Sequence, residues 1–254
     1  MKNVFGFLCM SLGVLLFTSC QKEIAEVATA QQISLVQTSA AGNVKGSAKD
    51  VRGNVIPGVK VTVEHTVWLG TYAQATTNKN GRYNISIPQT PAGSWTAKAQ
   101  YQKAAYGKTY KFDLAGNIAA FSQYDSVTRN FTWKLSGKKP GVNAYYGAHV
   151  DLYQFGTDVD ITKVKIVFTP IDSTLIDGSP ALGFERYVED IAGVYMVKDV
   201  PIGRYNIVAK YPGKKLYLQN RHTNNNPAVK KPVVFDKYGN LGETEYNIEF
   251  WLSE

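Results

Sequence analysis

Val59-Lys60-Val61-Thr62-Val63-Glu64, followed by Asn78-Lys79-Asn80-Gly81-Arg82-Tyr83-Asn84-Ile85-Ser86-Ile87-Pro88, decides the fold. In the first stretch valines alternate with polar residues, the pattern of a strand with one buried face. In the second, Asn and Gly supply a tight turn because both tolerate positive φ. Tyr83, Ile85 and Ile87 then alternate with Arg82, Asn84 and Ser86 until Pro88 ends the strand. Upstream, Asn43–Ser47 is a candidate first strand, and Arg52-Gly53-Asn54 and Pro57-Gly58 are turn signals. Downstream, Gly93 opens a strand with Trp95, Ala97, Ala99 and Tyr101 on one face, and Phe131, Trp133 and Leu135 alternate in a closing strand.

The pattern then recurs. Val164, Ile166 and Phe168 repeat the Val59 strand, and Gly193 and Tyr195 repeat Gly81 and Tyr83. Pro201, Gly203, Tyr205, Ile207, Ala209 and Tyr211 repeat Pro88, Gly93, Trp95, Ala97, Ala99 and Tyr101, and 247–252 repeats the closing strand. Gly-Arg-Tyr-Asn-Ile occurs at both 81–85 and 203–207, but on strands that do not correspond, so its identity is coincidental. The expected class is all-β: two tandem immunoglobulin-like or transthyretin-like antiparallel β-sandwiches, at 42–135 and 142–254, with a linker at 136–141. That linker is short and Gly-rich, so the halves are expected to unfold separately.

The amino terminus has a different character. Met1-Lys2-Asn3 precedes the apolar run Val4–Phe17, then Thr18-Ser19-Cys20, the layout of a secretory signal at 1–19. Fourteen helical residues reach ~21 Å, short of the ~30 Å hydrocarbon core, which disfavours a permanent span. A cysteine after small residues resembles the lipobox of bacterial lipoproteins, which implies cleavage before Cys20 and its acylation. Phe17 departs from that pattern, and the alternative is an ordinary signal cleaved near Ser19. Gln21-Lys22-Glu23 resembles the export tag of Bacteroidota-type surface lipoproteins, which implies outer-membrane anchoring with outward display. Residues 20–41, rich in Ala, Gln, Ser and Thr, read as the lipidated cysteine and its tether. In such hosts Asp125-Ser126-Val127 and Asp172-Ser173-Thr174 resemble O-glycan acceptors at Ser126 and Ser173.

Residues 44–99 resemble the carboxypeptidase regulatory-like domain, a transthyretin-like sandwich. The resemblance rests on Gly46, Asp50, Gly53, Ile56-Pro57-Gly58-Val59, Thr77, Asn80-Gly81-Arg82-Tyr83, Pro88, Gly93, Trp95 and Ala99. It implies a spacer or docking module rather than an activity.

Catalytic signatures are missing from the sequence. The histidines are His65, His149 and His222, and none has a Glu three residues on, so zinc-hydrolase spacing is absent. There is no Gly-x-Ser-x-Gly elbow or phosphate-binding loop. Both cysteines, Cys9 and Cys20, lie in the first twenty residues. The carboxylate pairs Asp158/Asp160 and Asp172/Asp177 read first as solvated loop acids; the alternative is that Asp158 and Asp160, which share a face if that stretch is extended, bind Ca²⁺ with nearby carbonyls. The formal charge of +8, or +7 without Lys2, is scattered between strand positions and lacks a groove-reading motif, so nucleic acid is not an expected partner. No metal or cofactor is expected either.

Aromatics outside the core alternation are the better lead. Trp68 and Tyr72, Tyr106 and Tyr110, and Tyr145 and Tyr146 are candidate platforms for sugar rings, or else cover the sandwich ends. The expectation is a non-enzymatic, lipid-anchored surface scaffold or adaptor docking to an outer-membrane protein. The alternative is a glycan-binding lipoprotein of a polysaccharide-uptake system. Cys20 gives the first test: an azido fatty acid should label the protein in its host, and Cys20→Ala should abolish the label. A labelled Cys20→Ala protein would remove the lipid reading.

Overall fold

The computed structural model describes residues 42–223, 225–237 and 243–254. Cys20 and Gln21, Lys22 and Glu23 lie outside them. Strands of the first half are β1 (Asn43–Asp50), β2 (Lys60–His65), β3 (Tyr72–Thr76), β4 (Arg82–Ser86), β5 (Trp95–Ala105), β6 (Lys108–Asp113), β7 (Ala115–Gly116), β8 (Val127–Thr128) and β9 (Phe131–Trp133). The second half begins with β10 (Ala148–Gln154), β11 (Lys165–Pro170), β12 (Phe184–Tyr187), β13 (Glu189–Ile191), β14 (Val194–Val200) and β15 (Arg204–Tyr211). It ends with β16 (Lys214–Lys215), β17 (Tyr217–Asn220), β18 (Lys230–Val234), β19 (Asp236–Lys237) and β20 (Tyr246–Ser253).

Each half is two sheets face to face. The first pairs β4-β1-β9-β7, with β8 also on β1, and β3-β2-β5-β6. The second pairs β13-β14-β10-β20-β17, with β19 on β20, and β12-β11-β15-β16, with β18 on β15. Among the described residues no strand of one half pairs with a strand of the other.

The two halves share register at the positions expected to correspond. His65, Val63 and Val61 face Trp95, Ala97 and Ala99 across β2/β5. Pro170, Phe168 and Ile166 face Tyr205, Ile207 and Ala209 across β11/β15 in the same steps. Trp95 and Tyr205 are accordingly both buried, at 0% and 1% exposure. The two Gly-Arg-Tyr-Asn-Ile strings fall on β4 and β15, which do not correspond. One detail departs from an all-antiparallel sandwich: the first and last long strands of each half run parallel, β1 with β9 and β10 with β20.

Motif residues of 44–99 have identifiable duties. A Cβ on Gly46 would sit 1.8 Å from the Arg129 carbonyl oxygen, so only glycine permits the close approach at β1. Thr77 Oγ1, buried, accepts from Val59 N (2.9 Å) and donates to the Ile56 carbonyl (2.8 Å), closing the turn before β2. Asp50 accepts from the backbone N–H groups of Arg52 and Asn54, both at 2.9 Å, and so fixes the turn after β1.

The halves are not independent beads. The described residues fall in one compact unit, and buried apolar residues of both halves form one continuous cluster. The contact centres on β6, the edge strand of its sheet. Tyr246, on β20, accepts from Lys111 N–H (2.5 Å) and donates to the Lys111 carbonyl (3.1 Å). Its ring packs at 5.1 Å from Tyr110, whose hydroxyl donates to the Phe235 carbonyl (3.1 Å). Phe112 packs between Tyr246 and Trp133. Asp113 is paired with Lys139 of the linker and accepts from Thr244. Farther along, Arg52 donates to the carbonyls of Asp177 (2.6 Å) and Gly178 (2.9 Å). These contacts join the halves across the linker, because an edge strand with unpaired peptide groups gains from being covered.

Two outcomes are expected. Urea unfolding should show one transition in the unsubstituted protein. Tyr246→Phe should lower stability by about 1–3 kcal/mol, the cost of orphaning partly buried peptide groups, and Tyr246→Ala should split the transition in two. Two transitions before substitution would mean independent halves. The second outcome concerns acid. Burial pushes the Asp113 carboxyl pKa up, but hydrogen bonds from Lys139, Thr244 and Gln100 outweigh it and hold it below the ordinary value. The folded state therefore binds this proton less readily than the unfolded chain. Its contribution is present above about pH 3.9 and is lost as pH falls through the folded value. Asp113→Asn should flatten that part of the pH–stability curve, and an unchanged curve would show that the pair does not couple to folding.

Candidate functional site

Two strands from opposite ends of the second half build the most elaborate surface. In β10 the core takes Val150 and Leu152, and in β20 it takes Phe250 and Leu252. The intervening residues turn outward. Because the strands pair parallel, they meet in three rungs: His149 with Asn247, Asp151 with Glu249, and Tyr153 with Trp251.

Hydrogen bonds tie these rungs together. Asp151, only 2% exposed, contacts His149 Nδ1 (2.7 Å) and accepts from Asn247 Nδ2 (2.9 Å). Glu249 accepts from Arg221 Nη1 (2.6 Å) and lies 3.3 Å from His222 Nε2. The Arg221 guanidinium lies 3.7 Å from the Tyr153 ring centroid and 4.4 Å from that of Trp251, a cation–π arrangement over both rings. Phe155, 64% exposed, extends the aromatic row at 5.9 Å from Trp251. Two carboxylates on neighbouring strands would repel, and these donors are what make their closeness tolerable.

Beside the first rung is a cleft of about 220 Å³, bounded by Asn143, Tyr145, His149, Met196, Lys198 and Asp199. Asp199 forms its rim. Its carboxylate accepts from Gly137 N (2.8 Å) and Gly147 N (3.2 Å), tying the linker to β14. It does so from the left-handed region, φ +59°, which a non-glycine residue occupies only when neighbours hold it there. Arg186 supplies part of that hold, donating to the Asp199 carbonyl (2.9 Å).

The acidic groups of the rungs are already engaged. Asp151 is sealed from solvent, and Glu249 is engaged by Arg221. Among the described residues no three His, Cys, Asp or Glu side chains are arranged to hold a metal ion. His65 is occupied structurally: Nδ1 accepts from Val67 N (3.1 Å) and Trp68 N (2.9 Å), which leaves Nε2 to donate to the Ala92 carbonyl (2.9 Å). The acids read as solvated loop groups have partners. Asp160 caps the 3-10 turn Ile161–Lys163, Asp158 pairs with Lys214, and Asp172 pairs with Arg204.

The six aromatics singled out in the sequence are not gathered in one place. Tyr110, 1% exposed, and Tyr146, 8% exposed, are packed away and offer no ring face to a ligand. Burial at the contact between halves explains the first. For Tyr146 the linker folds back, with its N–H bonded to the Gly137 carbonyl (2.9 Å). Tyr106 is half-buried, 5.5 Å from Arg204, and Tyr145 lines the cleft under Lys198. Trp68 and Tyr72 remain exposed on the first sandwich. Ser126 and Ser173 are both exposed. Sequence reasoning passed over Tyr153, Phe155, Trp251 and Arg221. The signal was the off-phase of the alternation, since residues interleaved with a core-facing row share the opposite face.

No family model matches the chain, and no curated protein matches it. Solved structures with a similar arrangement include the Bacillus anthracis TIE protein, with 12% identity over 85% of this chain and 35% of that one, TM-score 0.30. Others are a streptococcal ancillary pilin, with 12% identity over 84% and 63%, TM-score 0.27, and a B repeat unit of the collagen-binding surface protein of Staphylococcus aureus, with 11% identity over 84% and 98%, TM-score 0.25. The chain thus spans about a third of the first and under two thirds of the second. Overlaps this loose say nothing about what the site binds.

Proposed function

We propose that the chain is a lipid-anchored, non-catalytic surface scaffold, held in the outer membrane through Cys20 and facing the exterior, and that it docks an outer-membrane protein through the rung face of its second sandwich. The observation that carries this reading is the fixed Asp151–Asn247–Glu249–Arg221 network, which holds Arg221 over Tyr153 and Trp251 beside the exposed Phe155. The carboxypeptidase regulatory-like pattern of residues 44–99 supports the same reading, since such modules serve as spacers. Trp251 and Arg221 are residue types enriched among interface hot spots. A specific observation favours a second reading: exposed Phe155 continues an aromatic row with the half-buried Trp251, the kind of row that stacks on sugar rings.

Pull-down of the native lipoprotein from solubilised membranes should recover a stoichiometric membrane protein, and Trp251→Ala or Arg221→Ala should weaken that recovery at least about tenfold. Affinity electrophoresis in polysaccharide gels is the counterpart. Retardation that Phe155→Ala abolishes, with no protein recovered, would replace the scaffold reading by the glycan one.

A further inference from the structure

The hairpin between β2 and β3, Thr66-Val67-Trp68-Leu69-Gly70-Thr71, is the most apolar exposed segment of the first sandwich. Val67 is 66% exposed, Trp68 40% and Leu69 98%. A leucine with almost no protein contact forgoes its burial energy unless something else covers it. The segment is nonetheless built, not loose. His65 receives the N–H groups of Val67 and Trp68 on one ring nitrogen and stacks on Trp68, 5.2 Å between centroids and 28° between planes. The Thr66 N–H donates to the Ser94 carbonyl (2.8 Å), and the Thr71 N–H to that of Trp68 (3.2 Å). A Cβ on Gly93 would stand 2.3 Å from His65 Cε1, so Gly93 gives the imidazole its place.

Its position matters as much as its composition. His65 lies beside Trp95 in register, Trp95 bridges Phe121, and Gln123 accepts from Gly42 N–H (2.9 Å) and Thr90 N–H (2.6 Å). The apolar tip therefore occupies the same end of the sandwich as Gly42, where the chain comes in. Tyr124, 57% exposed, is at that end as well. The second sandwich is at the opposite end, where β1 and β9 finish and Arg52 reaches Asp177.

We propose that this end of the first sandwich rests on the lipid surface, with Trp68 and Leu69 inserted among headgroups and upper acyl chains and Tyr124 beside them. A ring with one polar N–H and an adjacent aliphatic side chain suit the membrane–water boundary. The proposal rests on the lipid anchor read at Cys20, which lies only 22 positions before Gly42. It adds a second attachment point, so the body stands at a set angle to the membrane instead of swinging from one.

The test uses the native protein reconstituted in phosphatidylethanolamine–phosphatidylglycerol vesicles with plain or brominated acyl chains. Bromine should quench part of the tryptophan emission. That part should vanish in Trp68→Phe and persist in Trp251→Phe. Leu69→Asp, at a position with no packing to lose, should leave the melting curve unchanged and abolish the same quenching. Emission from acylated protein that is indifferent to bromine would overturn the proposal and leave the anchor standing, as expected if the tip docks on a protein instead. Protein without the fatty-acid label whose Trp68 is still quenched would remove the anchor and keep the proposal.

Discussion

One hydroxyl closes the edge of the first sandwich. Strand β6 ends its sheet, and such an edge invites pairing with any free strand. Tyr246 satisfies both the N–H and the carbonyl of Lys111 from the second sandwich. Around it Tyr110, Phe112 and Trp133 make a shared aromatic core, and Asp113 draws in Lys139. The apolar hairpin lies at the end of the first sandwich away from this junction. A free hinge at 136–141 would have left the two sandwiches without a defined relation.

Alternation made much of this architecture legible. Val59, Val61 and Val63, then Val164, Ile166 and Phe168, marked equivalent strands because each packs one face on a core and leaves the other to polar residues. The correspondence of Trp95 with Tyr205 survives as identical register. The junction was not legible. Tyr110 and Phe112 alternate with Thr109, Lys111 and Asp113 whether they face their own sandwich or a neighbouring one, and nothing local distinguishes the two. The site was missed, although the off-phase of each alternation held part of it. His149, Asp151 and Tyr153 could be placed on one face, and so could Asn247, Glu249 and Trp251. Their meeting depends on parallel pairing of β10 with β20, nearly a hundred residues apart, for which no turn or spacing gives a local signal.

That pairing has a folding cost. The first strand of each sandwich must wait for the last before its sheet is complete, so loop closure comes before most of the reward. Hairpins such as β2–β3 and β5–β6 can form early by comparison. Gly46 and the Arg129 carbonyl show how closely the closing strand must then approach.

Parallel first and last strands also decide how the molecule bears tension. In the first sandwich the chain enters at one end, along β1, and leaves at the other, along β9. A pull between Gly42 and the second sandwich draws these strands in opposite directions along their length. The hydrogen bonds at Ala48–Phe131, Lys49–Thr132 and Asp50–Trp133 are then loaded together, in shear, rather than opened one after another. Tethered as proposed, in flowing liquid, the protein would experience this direction of force, and the topology places its backbone pairing squarely across it.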